Sequence, residues 1–201
     1  MGVQTDVQVK FIADENAADP DRLVTAARPN TSATMATTTF LGGGARNVTV
    51  TTTGTGDNGK TCTITGTDVF GDAMTEVITS TGSAEAVAGA KLFLTVSAVE
   101  CSAQYAANIT VGSGSLCASD VAGGGRTRLK GYSIVSAGTA GLVDFFNGTP
   151  DSGTTIFKAQ TIGTDNSTVD NTIPDEGMLF KSGLSVKYTV ATVVLMNVFF
   201  A

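Results

Sequence analysis

The feature that most constrains this chain is an alternation of period two that recurs along most of its length. In residues 47–53, NVTVTTT, Val48 and Val50 fall on one side and threonines on the other. In residues 61–65, TCTIT, Cys62 and Ile64 alternate with Thr61, Thr63 and Thr65. EVITS, LFLTVSAV and NITVG continue the series as far as about residue 114. Successive side chains on a strand point to opposite faces, so this pattern predicts half-buried β-strands. Interruptions at GTGDNG, DVFGD and GSGS read as tight turns between antiparallel neighbours. Threonine suits a half-exposed pleated surface, and the 24 glycines supply turns.

From about residue 126 the same logic repeats. Candidate strands are LKGYSIVS, LVDFF, TTIFKAQ, STVDNTI, MLF, LSVKYTV and TVVLMNVFF, with turns at Thr139 to Gly141, Asn147-Gly148, Asp151 to Gly153 and Asp175 to Gly177. The fold class expected is all-β: two small antiparallel β-sandwich or jelly-roll-like domains with an N-terminal arm. Residues 1–33 read as the arm or connector, 34–122 as the first β domain and 123–201 as the second, with GGGRTR (123–128) marking the boundary. Within the arm, VQVKFI (7–12) alternates as a strand would, and a short helix around Asp21 to Ala27 would be stopped by Pro29. The last strand is almost uniformly apolar, which places it centrally in a sheet or under a partner.

Two groups of residues stand out as candidate contacts. Val7, Val9, Phe11 and Ile12 could add a strand to a neighbouring sheet. Phe199 and Phe200 are adjacent, so they face opposite sides and need cover on each.

Motifs for chemistry are sparse. Gly54 to Thr61 fits the phosphate-loop spacing G-x-x-x-x-G-K-[ST], but that chemistry needs a helix N-terminus after the loop. KTCTITGT is instead an alternating strand, so Asp57-Asn58-Gly59 reads as a hairpin turn and no cofactor is expected. The chain has no histidine, which removes the usual general base, metal ligand and nucleophile partner, and Ser-x-x-Lys does not occur. Asp68, Asp72 and Glu76, or Asp170, Asp175 and Glu176, could act as paired carboxylates, though beside Gly71 and Gly177 they read as turn acids. Asp14, Glu15, Asp19 and Asp21 lack the spacing of a calcium loop and read as a solvated cluster, so no metal is expected. Three cysteines without metal-ligand spacing fit reduced, inert thiols in a reducing cytoplasm.

A formal charge of −6, from 12 basic and 18 acidic residues, argues against nucleic acid and anionic membranes as partners. The start, MGVQTDVQVKF, does not read as a secretory signal, and 190–200 is too short to span a bilayer as a helix.

Residues 61–82, TCTITGTDVFGDAMTEVITSTG, followed by KLFLTVSAV and AANITVG, resemble a small β module of tailed-phage structural proteins. That module is likened to the first-catalytic-cysteine half-domain of ubiquitin-activating enzymes, and the likeness implies no ubiquitin chemistry at Cys62 or Cys101. RLKGYSIVSAGTAGLVDFFNGTPDSGT and IPDEGMLFKSGLSVKYT resemble β domains of marine and cyanobacterial phage particle proteins. The resemblance implies a non-enzymatic virion component, assembled in the host cytoplasm and forming a homo-oligomer among other virion proteins. A capsid decoration or cement protein on the major capsid protein is the first expectation. A tail or head–tail component, such as a fibre base or adsorption protein, is the alternative.

Overall fold

The computed structural model describes residues 6–13 and 17–201. The chain is all-β, antiparallel and of β-sandwich type. Its strands are β1 (Gln8–Ile12), β2 (Val24–Ala27), β3 (Ala45–Thr52), β4 (Thr61–Thr67), β5 (Ala73–Thr79), β6 (Ala86–Phe93) and β7 (Thr95–Cys101). They continue as β8 (Ile109–Asp120), β9 (Thr127–Ser136), β10 (Leu142–Asn147), β11 (Thr154–Gln160), β12 (Thr168–Thr172), β13 (Met178–Phe180), β14 (Leu184–Thr189) and β15 (Val193–Phe200). A 3-10 turn, η1 (Thr55–Asp57), precedes β4. The chain divides into two compact units, Asn16–Cys117 and a second made of Met1–Glu15 with Ala118–Ala201.

In the first unit β8, β3 and β6 are neighbours in one sheet, with β2 paired to β8, and β5, β4 and β7 form the other. The core lies between them. Val48 and Val50 of β3, Ile109 and Val111 of β8, Cys62 and Ile64 of β4, and Val96 and Val99 of β7 belong to one buried cluster. β4 shows the alternation read from the sequence, with Cys62, Ile64 and Gly66 buried between half-buried threonines. β3 does not, because it is buried on nearly every residue. Its Arg46 donates to the Gly114 carbonyl at 2.8 Å, and the Asn47 side chain bridges Gly89 O on β6 and Leu116 N on β8. Those bonds satisfy polar groups that would otherwise be costly to bury.

Several local expectations are corrected. The short helix expected around Asp21 to Ala27 is strand β2, with Val24 opposite Val111 and Ala27 opposite Ile109. Burying Leu23 and Val24 in the core cluster outweighs the helix propensity of the alanines. LFLTVSAV is split at Leu94 into the end of β6 and β7, which lie in different sheets. GSGS is no turn; it runs inside β8. The two compact units divide at 15/16 and 117/118. From Ala118 onward the backbone bonds within the second unit, as where Val121 N–H and Ala122 N–H both donate to Leu184 O, before the glycine run is reached.

One glycine in the first unit is demanded by close approach. Gly66 sits at a bulge between β4 and β7, and a Cβ there would run into the Thr95 carbonyl and stand 3.0 Å from Phe93 Cδ1. Gly66→Val is therefore expected to cost about 2 kcal/mol or more, read as a lower urea midpoint.

In the second unit one sheet runs β1-β15-β9-β12, with β13 also on β9, and β11, β10 and β14 are neighbours in the other. The seven strands β9 to β15 coincide with the seven expected apolar runs. β15 is central, as its composition requires, between β1 and β9. Ile134 and Tyr132 of β9 and Met196 and Val198 of β15 are buried, as are Val143 and Phe145 of β10 and Val186 of β14. The rings of Tyr132, Phe145 and Phe157 close a triangle with centroid spacings of 5.6, 5.7 and 5.6 Å, joining the two sheets. The expected turns at Gly148 and Gly177 have φ of 100° and 77°, a region glycine enters freely.

Candidate interaction surface

The N-terminal alternation VQVKFI forms an edge strand of the second unit, not a free arm. β1 pairs antiparallel with β15, with Val9 opposite Phe199, Phe11 opposite Asn197 and Ile12 opposite Met196. Residues opposite each other in a ladder share a face, and alternate residues of one strand share it too. The sheet therefore sorts the expected contact residues into two groups. Val7, Val9, Phe11 and Phe199 lie on the outer face, whereas Ile12 and Phe200 lie on the inner one.

Burial agrees with that sorting. Val7, Val9 and Phe11 are 58%, 56% and 58% exposed and Phe199 is 37% exposed, but Ile12 is only 4% exposed. The outer face continues across the sheet in rows. Val9, Phe199, Gly131 and Thr172 make one, and Phe11, Asn197, Ser133 and Asp170 the next. Gly131 carries no side chain, so the first row dips between Phe199 and Thr172. A groove of about 480 Å³ lies there, walled by Val7 and Phe199 on one side and by Asp170 and Thr172 on the other. An apolar strip flanked by hydroxyls and a carboxylate can hold an apolar side chain and offer hydrogen bonds at its border. Among the described residues β1 pairs with β15 alone, so its outer edge also offers backbone groups for strand addition.

The segment with phosphate-loop spacing has a different role. η1 leads through Gly59, at φ 80°, into strand β4. Asp57 is fully buried, and its carboxylate accepts from Ala106 N at 2.6 Å, Ala107 N at 3.1 Å and Lys60 Nζ at 2.7 Å. Lys60 Nζ donates further to Gln104 O at 2.6 Å and lies 5.4 Å from the Tyr105 ring centroid. The lysine that a phosphate would need is thus committed to tying the turn to residues 104–107. Burial pushes the Asp57 carboxyl up, but the Lys60 bond and the two amides outweigh it and hold the group below its ordinary value. The Asp and Lys three apart were visible in the sequence; the partners at 104–107 were not.

Of the other candidate carboxylates, those of Asp68, Glu76 and Glu176 are engaged in bonding. Asp68 caps its turn by accepting from Phe70 N and Asp72 N, at 2.9 and 3.0 Å. Glu76 accepts from Ala90 N at 2.7 Å, and Glu176 pairs with Arg128 at 2.9 Å. Of the N-terminal acidic cluster, Asp14 and Glu15 lie outside the described residues, and Asp19 is bonded through its backbone to Ser113.

Compared with known proteins, the chain matches no family model, no curated protein and no solved structure.

Proposed function

We propose that this chain is a non-enzymatic structural protein of a tailed-phage particle, a decoration or cement protein that docks on the outer shell through the β1–β15 face. The observation that carries the reading is the contiguous exposed strip Val7, Val9, Phe11 and Phe199 beside an open strand edge. Isolated surface hydrophobes are ordinary, whereas an apolar strip with a polar border marks an interaction site. The resemblance of residues 61–82 and of the second unit's strands to phage particle modules supports a virion as the place. The occupant is a strand of the major capsid protein, which would extend the sheet at β1 and set an apolar side chain into the groove. The acidic balance of −6 suits an exterior position, since packaged nucleic acid would repel it.

Quantitative densitometry of purified particles tests the location. A decoration protein is expected at a copy number on the scale of the shell's own subunits. The far smaller number typical of a tail assembly would replace this reading with the tail or head–tail one, and absence from the particle would end both.

A further inference from the structure

The core of the first unit holds a pair of sulfurs that the docking role does not use. Cys62, Cys101 and Cys117 are all buried, and none is in a disulfide. Cys62 on β4 stands directly opposite Cys101 on β7. The backbone bonding around them identifies the kind of site. Ser102 N–H donates to Thr61 O at 3.0 Å, so the bond joins the residues flanking the pair rather than the pair itself. In an antiparallel ladder such non-hydrogen-bonded positions bring Cα atoms to about 4.5 Å and side chains closest together. Disulfides span Cα separations of about 4.4–6.8 Å, so this position accepts one without moving the backbone. The two Sγ atoms are 4.0 Å apart, and a side-chain rotation is all that separates them from bonding distance.

A third group is aimed at the same sulfur. The Tyr105 hydroxyl lies 3.2 Å from Cys62 Sγ and 3.0 Å from Ser80 Oγ. Donation from the Cys101 thiol holds the Cys62 thiol below its usual range, against burial and with help from Tyr105. The same contact, with burial, pushes Cys101 up. Cys62 is thus the sulfur that ionises first, and Cys101 keeps its proton beside it.

We propose that Cys62 and Cys101 are a redox-responsive pair that closes to an intramolecular disulfide on reaction with a small peroxide, stapling β4 to β7. The Cys62 thiolate attacks one peroxide oxygen, the O–O bond breaks, and hydroxide leaves, which gives a sulfenic acid at Cys62. Cys101 sulfur then attacks Cys62 sulfur; the S–S bond forms, the S–O bond breaks, and the hydroxyl departs with the Cys101 proton as water. The released hydroxide takes up the proton that Cys62 gave up on forming its thiolate, so two thiols give up two electrons in all, and hydrogen peroxide takes them and ends as two waters. The oxidant has to be small because Cys62 is fully buried and Cys101 nearly so. With its ends 39 positions apart, the closed loop restricts the unfolded chain substantially.

The test uses the full-length protein and hydrogen peroxide, followed by alkylation in denaturant and peptide mapping. Cys117 is expected to be alkylated, and Cys62 and Cys101 to be recovered as one cross-linked peptide that a reductant separates. The oxidised protein should melt roughly 10 °C higher than the reduced one. In Cys101→Ser the cross-link should vanish and a sulfenic-acid trap should label Cys62, whereas Cys117→Ser should keep the cross-link. Recovery of Cys62 and Cys101 both alkylated, or joined instead to Cys117 or to another chain, would overturn the proposal.

Discussion

Asp57→Ala is expected to lower the stability of the first unit by about 3 kcal/mol, because it removes a buried carboxylate, strands the Ala106 and Ala107 amides and takes the counter-charge from Lys60. Ala106 N, Ala107 N and Lys60 Nζ all converge on that group, and of the three Lys60 Nζ keeps a second acceptor, Gln104 O. The turn at 55–60 is bonded on its other side to β5's end, through Gly59 N to Ser80 O at 2.9 Å and Ser80 N to Lys60 O at 2.8 Å. Loss of Asp57 therefore loosens residues 106 and 107 from a turn that itself remains attached to the sheet. The effect should appear as a lower urea midpoint, with amides 106 and 107 losing protection from hydrogen exchange. The sign of the pH dependence follows from the depressed carboxyl. Its stabilisation is present above the ordinary carboxylate range and is lost as pH falls through the lower, folded-state value. Asp57→Asn should flatten that acid limb of the stability curve, and an unchanged limb would show that Asp57 contributes nothing to it.

Phe199→Glu is expected to weaken attachment to the particle by about 100-fold or more while leaving the protein folded. Phe199 lies between Val9 and the gap above Gly131, so it is the centre of the outer strip and forms the wall of the groove. A carboxylate there would have to be desolvated against an apolar partner side chain, which costs far more than the lost contact area alone. Val9→Glu should act in the same direction because Val9 is opposite Phe199 on the same face. Folding should change little, since both side chains are already partly in water and surface substitutions usually stay within about 0.5 kcal/mol. Val77→Glu on β5 of the first unit is the control: Val77 is 60% exposed but lies outside the strip. Rebinding of purified variants to particles stripped of the protein measures all three. Equal binding by Phe199→Glu and the control would rule out the strip as the docking element. Deleting residues 1–12 is the poorer experiment, because it uncovers Met196 and Val198 along β15 as well as removing Val7, Val9 and Phe11 from the strip.

Period two was enough to place the strands of the second unit, because each apolar run there is bounded by glycine or aspartate turns. It also identified Cys62 and Ile64 as inward residues of β4. It failed where a distant partner decides. β2 has the composition of a weak helix, and only the pairing of Val24 with Val111 makes it a strand. Leu94 carries no turn signal, yet β6 and β7 part there into different sheets. The threonine side of β3 gives no hint that it is buried. The outer strip was half legible. Val7, Val9 and Phe11 share a face by simple alternation, but that Phe199 joins them and Phe200 does not depends on the register of β1 against β15. The opposition of Cys62 and Cys101 and the closure of Asp57 onto residues 106 and 107 likewise bring together positions that local pattern keeps apart.

Imaging the intact particle at side-chain resolution tests most directly whether the β1–β15 face is the surface by which this protein holds to a phage shell. Density of a capsid strand is expected along β1, with an apolar side chain set between Phe199 and Thr172. A particle in which that face stands open to solvent, with the protein attached through another surface or absent from the shell, would contradict it.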